Sequence, residues 1–109
     1  SYGEAYILQK GLHSATSLEN SPFDYLLLLE HNNVVTIGRS GDINNILVSK
    51  KILHEKNIEL YETDRGGDIT FHGDGQLIGY PIIRLDDPKK VIPFVRKIEK
   101  VIIDTLSTF

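Results

Sequence analysis

Arg65-Gly66-Gly67-Asp68-Ile69-Thr70-Phe71-His72-Gly73-Asp74-Gly75-Gln76 holds four of the nine glycines in a chain of 109 residues, and its only strongly strand-forming residues are Ile69, Thr70 and Phe71. Glycine adopts backbone torsions closed to other residues and weakens a strand interior, so the pattern predicts one short strand between two tight turns. The same glycines let a ligand reach main-chain amides, and Arg65 adds a planar fork of donors. That combination suits a carboxylate, a phosphate or a thioester carbonyl. No Gly-Lys-Ser or Gly-Lys-Thr follows, so this is not a Walker loop, and the spacing does not fit a dinucleotide fingerprint. On spacing alone two readings stand: a ligand-binding loop, or glycines that only shape hairpin turns.

The flanking segments set the architecture. Before the glycine-rich stretch, Ile58 to Tyr61 alternates like a strand, and Ser49 is placed to cap a short helix reaching Asn57. Gly38 to Asn45 is a loop, and Val34 to Ile37 a short strand. Asp24 to Glu30 carries four consecutive leucines between turn residues, the pattern of a buried strand. Taken alone, Glu30 to Arg39 reads as a hairpin with a charged rim. Tyr2, Ala5, Leu8, Leu12, Ala15 and Leu18 recur at steps of three and four, predicting a helix ended by the loop Asn20-Ser21-Pro22. After the stretch, Leu77 to Leu85 is a β segment in which Pro81 marks an edge, a bulge or a strand end. Asp87-Pro88 opens a final helix whose apolar face is Val91, Val95, Ile98, Ile102 and Leu106, and no stop signal precedes Phe109. The order α-β-β-α-β-β-β-α, with no repeat or linker, predicts one α+β unit over 1–109, with helices flanking a mixed, mostly antiparallel sheet.

Composition narrows the function. Twelve basic against fifteen acidic side chains give a net charge of −3, and no basic run exceeds two residues, which argues against nucleic-acid binding. The longest apolar run, Leu26 to Leu29, is far too short to span a membrane. The chain has no cysteine, which excludes a disulfide, a thiolate metal site and a cysteine nucleophile within these residues. Without a methionine, a natural start upstream and a removed targeting peptide both stay open, and the unstopped last helix leads us to expect a fragment of a longer chain. His72, ending a strand between glycines, is either a donor or acceptor working near neutral pH or a structural histidine. His13, His31 and His54 lack metal-ligand spacing, and His13 and His54 are expected on the surface. The pairs Lys50-Lys51 and Lys89-Lys90 are either solvated helix faces or a docking surface for an acidic carrier protein.

Taken together, Glu30 to Arg39 and Arg65 to Gln76 resemble the lipoyl(octanoyl) transferase family, of the lipoate-protein ligase B type. Its pattern reads Glu-His-Pro-Pro-Val-x-Thr-x-Gly-Arg, then Arg-Gly-Gly-x-x-Thr-Tyr-His-Gly-Pro-Gly-Gln, then a Tyr-Pro strand. The chain matches at Glu30, His31, Val34, Thr36, Gly38 and Arg39, at Arg65, Gly66, Gly67, Thr70, His72, Gly73, Gly75 and Gln76, and at Tyr80 and Pro81. The His-Gly-x-Gly-Gln ending separates it from ATP-using lipoate ligases. It departs at Asn32-Asn33 for the proline pair, Phe71 for tyrosine and Asp74 for proline.

The resemblance implies the fold of the biotin/lipoate protein ligase catalytic domain, with only its amino-terminal portion present. It implies transfer of an octanoyl group from an acyl carrier protein thioester to a lysine of a lipoyl domain, in a 2-oxoacid dehydrogenase or the glycine cleavage H protein. Transfer passes through a cysteine acyl-enzyme and needs no cofactor or metal. The reacting cysteine and its activating lysine lie downstream in the family, so no catalytic residue is expected here. Substrate binding falls to Arg65, Gly66, Gly67, Asp68, Ile69, Thr70, Phe71 and His72, with Gly73, Gly75 and Gln76 shaping the turn and His31 and Arg39 in support. The compartment implied is the cytoplasm in a bacterium, or the mitochondrion or plastid in a eukaryote. Two alternatives are a subunit of a split ATP-dependent lipoate ligase and a noncatalytic module that binds acyl or lipoyl groups.

Overall fold

In the computed structural model, residues 1–18 and 22–109 are described. Helix α1 spans Tyr2–Ser17 and opens with a capping box, in which Ser1 Oγ accepts from Glu4 N while the Glu4 carboxylate reaches back to the amino terminus. Of the expected face Tyr2 is buried and Ala5, Leu12 and Ala15 are half-buried, whereas Leu8 and Leu18 point outward; Tyr6, Gln9 and Thr16 complete the packed side. The tyrosine rings bury more area than Leu8 would, and they decide which side faces the sheet. Of the loop expected after this helix, Asn20 and Ser21 lie outside the described residues and Pro22 is exposed.

Strand β1 (Tyr25–Leu29) pairs antiparallel with β5 (Ile78–Ile82), running from Tyr25 opposite Ile82 to Leu29 opposite Ile78. Strand β2 (Val34–Ile37) belongs to a second sheet, between β3 (Glu59–Glu62), which it meets in parallel, and β4 (Ile69–His72), which it meets antiparallel. The β1–β2 hairpin reading is therefore overturned, because β1 and β2 lie in different sheets. The physical reason is burial: all four β2 residues are buried, and a central position with a partner on each edge satisfies their backbone. The four leucines of β1 likewise do not form a strand buried on both faces. Leu26 and Leu28 are 63% and 62% exposed, since α1 packs on the other face of this two-stranded sheet. Pro81 sits opposite Leu26 in a strand with a partner on one side only, which is its edge reading.

Ser49 caps α2 (Lys50–Glu55) as expected, accepting from Ile52 N. The helix stops before Asn57, which takes a left-handed φ of 52°. Asp87 caps a 3₁₀ turn over Pro88–Lys90, and α3 (Val91–Leu106) follows, ending three residues before Phe109. On α3 the expected face is largely bare: Ile98 is half-buried, whereas Val91, Val95, Ile102 and Leu106 are exposed. The architecture is α+β with one antiparallel and one mixed sheet. Among the described residues no helix is long and apolar enough to cross a membrane.

Candidate functional site

The site grows from the β2–β4 register, which sets Thr36 opposite Thr70 and Val34 opposite His72. Side chains alternate along a strand, so Thr70 and His72 share one face while Ile69 and Phe71 share the other. Thr70 and His72 line a cavity of about 600 Å³ together with Tyr2, Gln9, Arg65 and Tyr80. Phe71 is exposed instead.

Rings crowd the cavity's inner end. The Tyr2 ring centroid lies 4.8 Å from that of His31, 4.9 Å from Tyr61 and 6.4 Å from His72, and the two histidine rings are 5.5 Å apart. His31 is 3% exposed and shares a 2.7 Å hydrogen bond between its Nε2 and Tyr80 Oη. Burial holds its pKa below the ordinary histidine value, and the neighbouring His72 pushes in the same direction. Burial pushes the phenols of Tyr2 and Tyr80 up. At neutral pH His31 and both phenols are uncharged, which leaves an aromatic inner wall with neutral hydrogen-bonding groups, suited to an acyl chain and its carbonyl, while Lys10, Asp64 and Arg65 bring charge to the rest of the lining.

His72 Nδ1–H donates to Gln76 Oε1 at 2.9 Å, because an amide oxygen only accepts. In the neutral ring that bond selects the tautomer whose Nε2 accepts. Gln76 is placed by a tight turn: its N–H donates to Gly73 O at 3.2 Å, and Gly75 takes φ +80°, the signature of a type II turn. Two side chains from the β1–β2 connection catch this turn, Glu30 Oε2 accepting from Gly75 N at 3.2 Å and Asn33 Oδ1 from Asp74 N at 3.3 Å.

The start of the glycine-rich segment has a different task. Arg65 Nη2 donates to Thr36 Oγ1 (2.9 Å), Thr36 O (3.0 Å) and Asp68 O (3.1 Å), while Nε donates to Thr36 Oγ1 (3.2 Å) and Nη1 to Gly66 O (2.9 Å). Its fork is thus occupied by the protein's own oxygens. Main-chain bonds stitch the same loop to the end of β2: Gly38 N to Asp68 O (2.8 Å), Arg39 N to Arg65 O (2.9 Å) and Ser40 N to Gly67 O (3.2 Å). Approach is close enough that a Cβ on Gly38 would lie 2.3 Å from Gly67 O. The Asp68 carboxylate accepts from Asp42 N at 3.0 Å and Asn45 Nδ2 at 2.6 Å. Arg39 is exposed and joins this arrangement through its backbone.

Of the residues singled out in the sequence, the fold therefore brings Arg65, Thr70 and His72 to the cavity, with Gln76 and His31 bonded to residues that line it. Gly66, Gly67 and Asp68 sit in the latch, and Ile69 and Phe71 lie on the other face. Sequence reading missed Tyr2, Tyr6 and Gln9 as site residues. The available signal was an aromatic pair four apart with an amide three further on, on a helix face where aliphatic side chains would ordinarily suffice. His13 and His54 are exposed, as expected. Lys50 and Lys51 are exposed on α2, whereas Lys89 and Lys90 are exposed in the 3₁₀ turn. Among the described residues no group of three or more histidine or carboxylate side chains is arranged to hold a metal ion.

Comparison with known proteins identifies the family. The family described as the lipoyl protein ligase A/B catalytic domain matches residues 1–109. An octanoyltransferase of Solibacter usitatus is 44% identical over 109 residues, covering 99% of this chain and 49% of that protein. Octanoyltransferases of Koribacter versatilis (55% over 83 residues, 73% of this chain and 33% of that protein) and Dictyoglomus thermophilum (44% over 108 residues, 99% and 45%) are also similar. The chain spans about half the length or less of these curated relatives. Matched from its first residue to its last, the chain belongs to the lipoyl protein ligase A/B catalytic domain family.

Proposed function

We propose that this chain is the acyl-binding, amino-terminal portion of an octanoyltransferase catalytic domain. On this reading it receives the octanoyl group from an acyl carrier protein thioester and presents it for transfer to a lipoyl-domain lysine. The observation that carries the reading is the cavity beneath α1, where His72, with Nδ1 engaged by Gln76, lines an aromatic space with Tyr2 and Tyr80. An eight-carbon chain needs apolar walls, and its carbonyl needs a few placed polar groups. The names of the relatives point the same way.

The chemistry needs a nucleophile that this chain lacks, having no cysteine. In the full-length protein a downstream cysteine thiolate attacks the thioester carbonyl, and the carrier's thiolate leaves as the acyl-enzyme bond forms. The lysine amine then attacks that acyl-enzyme, forming the amide, and the cysteine sulfur leaves with the proton the amine gives up. His72 Nε2 accepts a hydrogen bond from the incoming amine, while Arg65 to Asp68 keep the strand in place. The reaction belongs to whichever compartment holds both partners: the cytoplasm in a bacterium, the mitochondrion or plastid in a eukaryote.

The test is intact mass spectrometry of the full-length protein incubated with octanoyl carrier protein. A covalent gain of one octanoyl group, discharged onto an added lipoyl domain, is expected. Saturable binding without any covalent adduct would replace this reading with a noncatalytic acyl-binding module.

A further inference from the structure

The turn that carries Gln76 is held from outside by two consecutive backbone amides, those of Asp74 and Gly75, each donated to a side chain of the β1–β2 connection. The Asp74 N–H to Asn33 Oδ1 bond exists only because neither position is proline. A proline at 74 would have no N–H to give, and one at 33 no oxygen to receive it. Both are positions where the chain departs from the motif it otherwise follows, and the two departures meet in space. Position 74 is the second residue of a type II turn, where a proline ring would itself fix φ. Gly73 completes the arrangement, since a Cβ there would lie 3.0 Å from Asn33 Oδ1 and 2.8 Å from the Phe71 ring.

We infer that Asn33 is a positioning residue for His72 and that Asn33 and Asp74 form a coupled pair: their hydrogen bond supplies the turn rigidity that a proline at 74 would supply. The path is short. Asn33 fixes Asp74 N, the turn fixes Gln76, and Gln76 Oε1 holds the Nδ1–H tautomer of His72. The functional consequence rests on the octanoyltransferase reading, whereas the coupling itself does not.

The experiment is a double-mutant cycle in the full-length protein, read by the ring ¹⁵N shifts of His72 and separately by octanoyl transfer. Asn33→Ala should lower the Nδ1–H tautomer population and slow transfer by roughly three- to tenfold, the worth of one neutral hydrogen bond. In an Asp74→Pro background the same Asn33→Ala change should move neither, because the ring replaces the bond. Equal effects of Asn33→Ala in both backgrounds would overturn the pairing, as would unchanged His72 shifts in the parent. If the shifts respond as described and no transfer is found in any form, the coupling stands and the octanoyltransferase reading fails. Thermal unfolding of each variant separates loss of fold from loss of positioning.

Discussion

Arg65 Nη2 lies 2.9 Å from Thr36 Oγ1 and 3.0 Å from the Thr36 carbonyl, so one arginine clamps the centre of β2 from the loop that precedes β4. Residues far apart in the chain are locked at this point, and the strand bearing His72 inherits its position from the lock. Replacing Arg65 with lysine keeps the charge but loses the fork. The R65K change should cost about 1–3 kcal/mol of stability in the full-length protein, measured by urea unfolding, because part-buried acceptors lose their donors.

Gly38→Ala probes the same lock from the other side. Its methyl group would lie 2.3 Å from Gly67 O and 3.0 Å from Gly66 O, both backbone atoms that cannot move without breaking the three stitches to Gly38, Arg39 and Ser40. Overpacking of this kind costs about 1–3 kcal/mol. A lowered unfolding midpoint with slower acyl transfer is the expected outcome, and wild-type stability would show that the loop is not held as described.

Much of this fold is legible in the sequence, and the failures have physical causes. The caps at Ser49 and Asp87 and the strand Val34–Ile37 follow from local chemistry, which needs no partner to be recognised. Strand pairing does not: whether β2 turns back on β1 or sits between β3 and β4 depends on partners 25 or more residues away, and hydrophobic pattern alone is silent on it. The place of Tyr6 rather than Leu8 on the packed side of α1 has a similar origin, since Tyr2 and Tyr6 meet Tyr61, a contact that only the tertiary structure makes. At the site, the motif singles out His72, which lines the cavity beneath α1. The sequence could not reveal that Arg65 spends its donors internally, because an arginine in a latch and one facing a ligand read alike.

The His31–Tyr80 bond predicts a cost for removing either partner. Tyr80→Phe leaves His31, 3% exposed, without the phenol that meets its Nε2. A buried polar atom without its partner costs about 1–3 kcal/mol, so the Y80F midpoint should fall accordingly in thermal unfolding.

Acid should destabilise the protein through His31. Its pKa is lowered in the folded state, chiefly by burial, so as pH falls the unfolded chain takes up the proton first. Stability from this group is complete above the ordinary histidine pKa of about 6.5 and declines below it, with a slope of at most about 1.4 kcal/mol per pH unit. The His31→Gln variant should show a shallower decline between neutral pH and pH 5 in urea unfolding, and an identical slope would remove His31 from this role.

Leu26 and Leu28 on β1, Leu77 before β5, and Val101 and Ile102 on α3 border one cavity of about 680 Å³ while remaining largely exposed. Apolar surface gathered in this way promotes association. The 109-residue chain on its own should self-associate in light scattering at micromolar concentration, and Leu28→Glu with Ile102→Glu should reduce it.

On the proposed reading, His72 serves the acyl group from the cavity beneath α1. The most direct test is the rate of octanoyl transfer from carrier protein to a lipoyl domain by the full-length protein, compared with its His72→Ala variant at matched folded fraction. A fall of about 10²-fold or more is expected, in the range for a positioned proton acceptor, with an unfolding midpoint close to that of the parent. Transfer at the parental rate by a folded His72→Ala protein would contradict it.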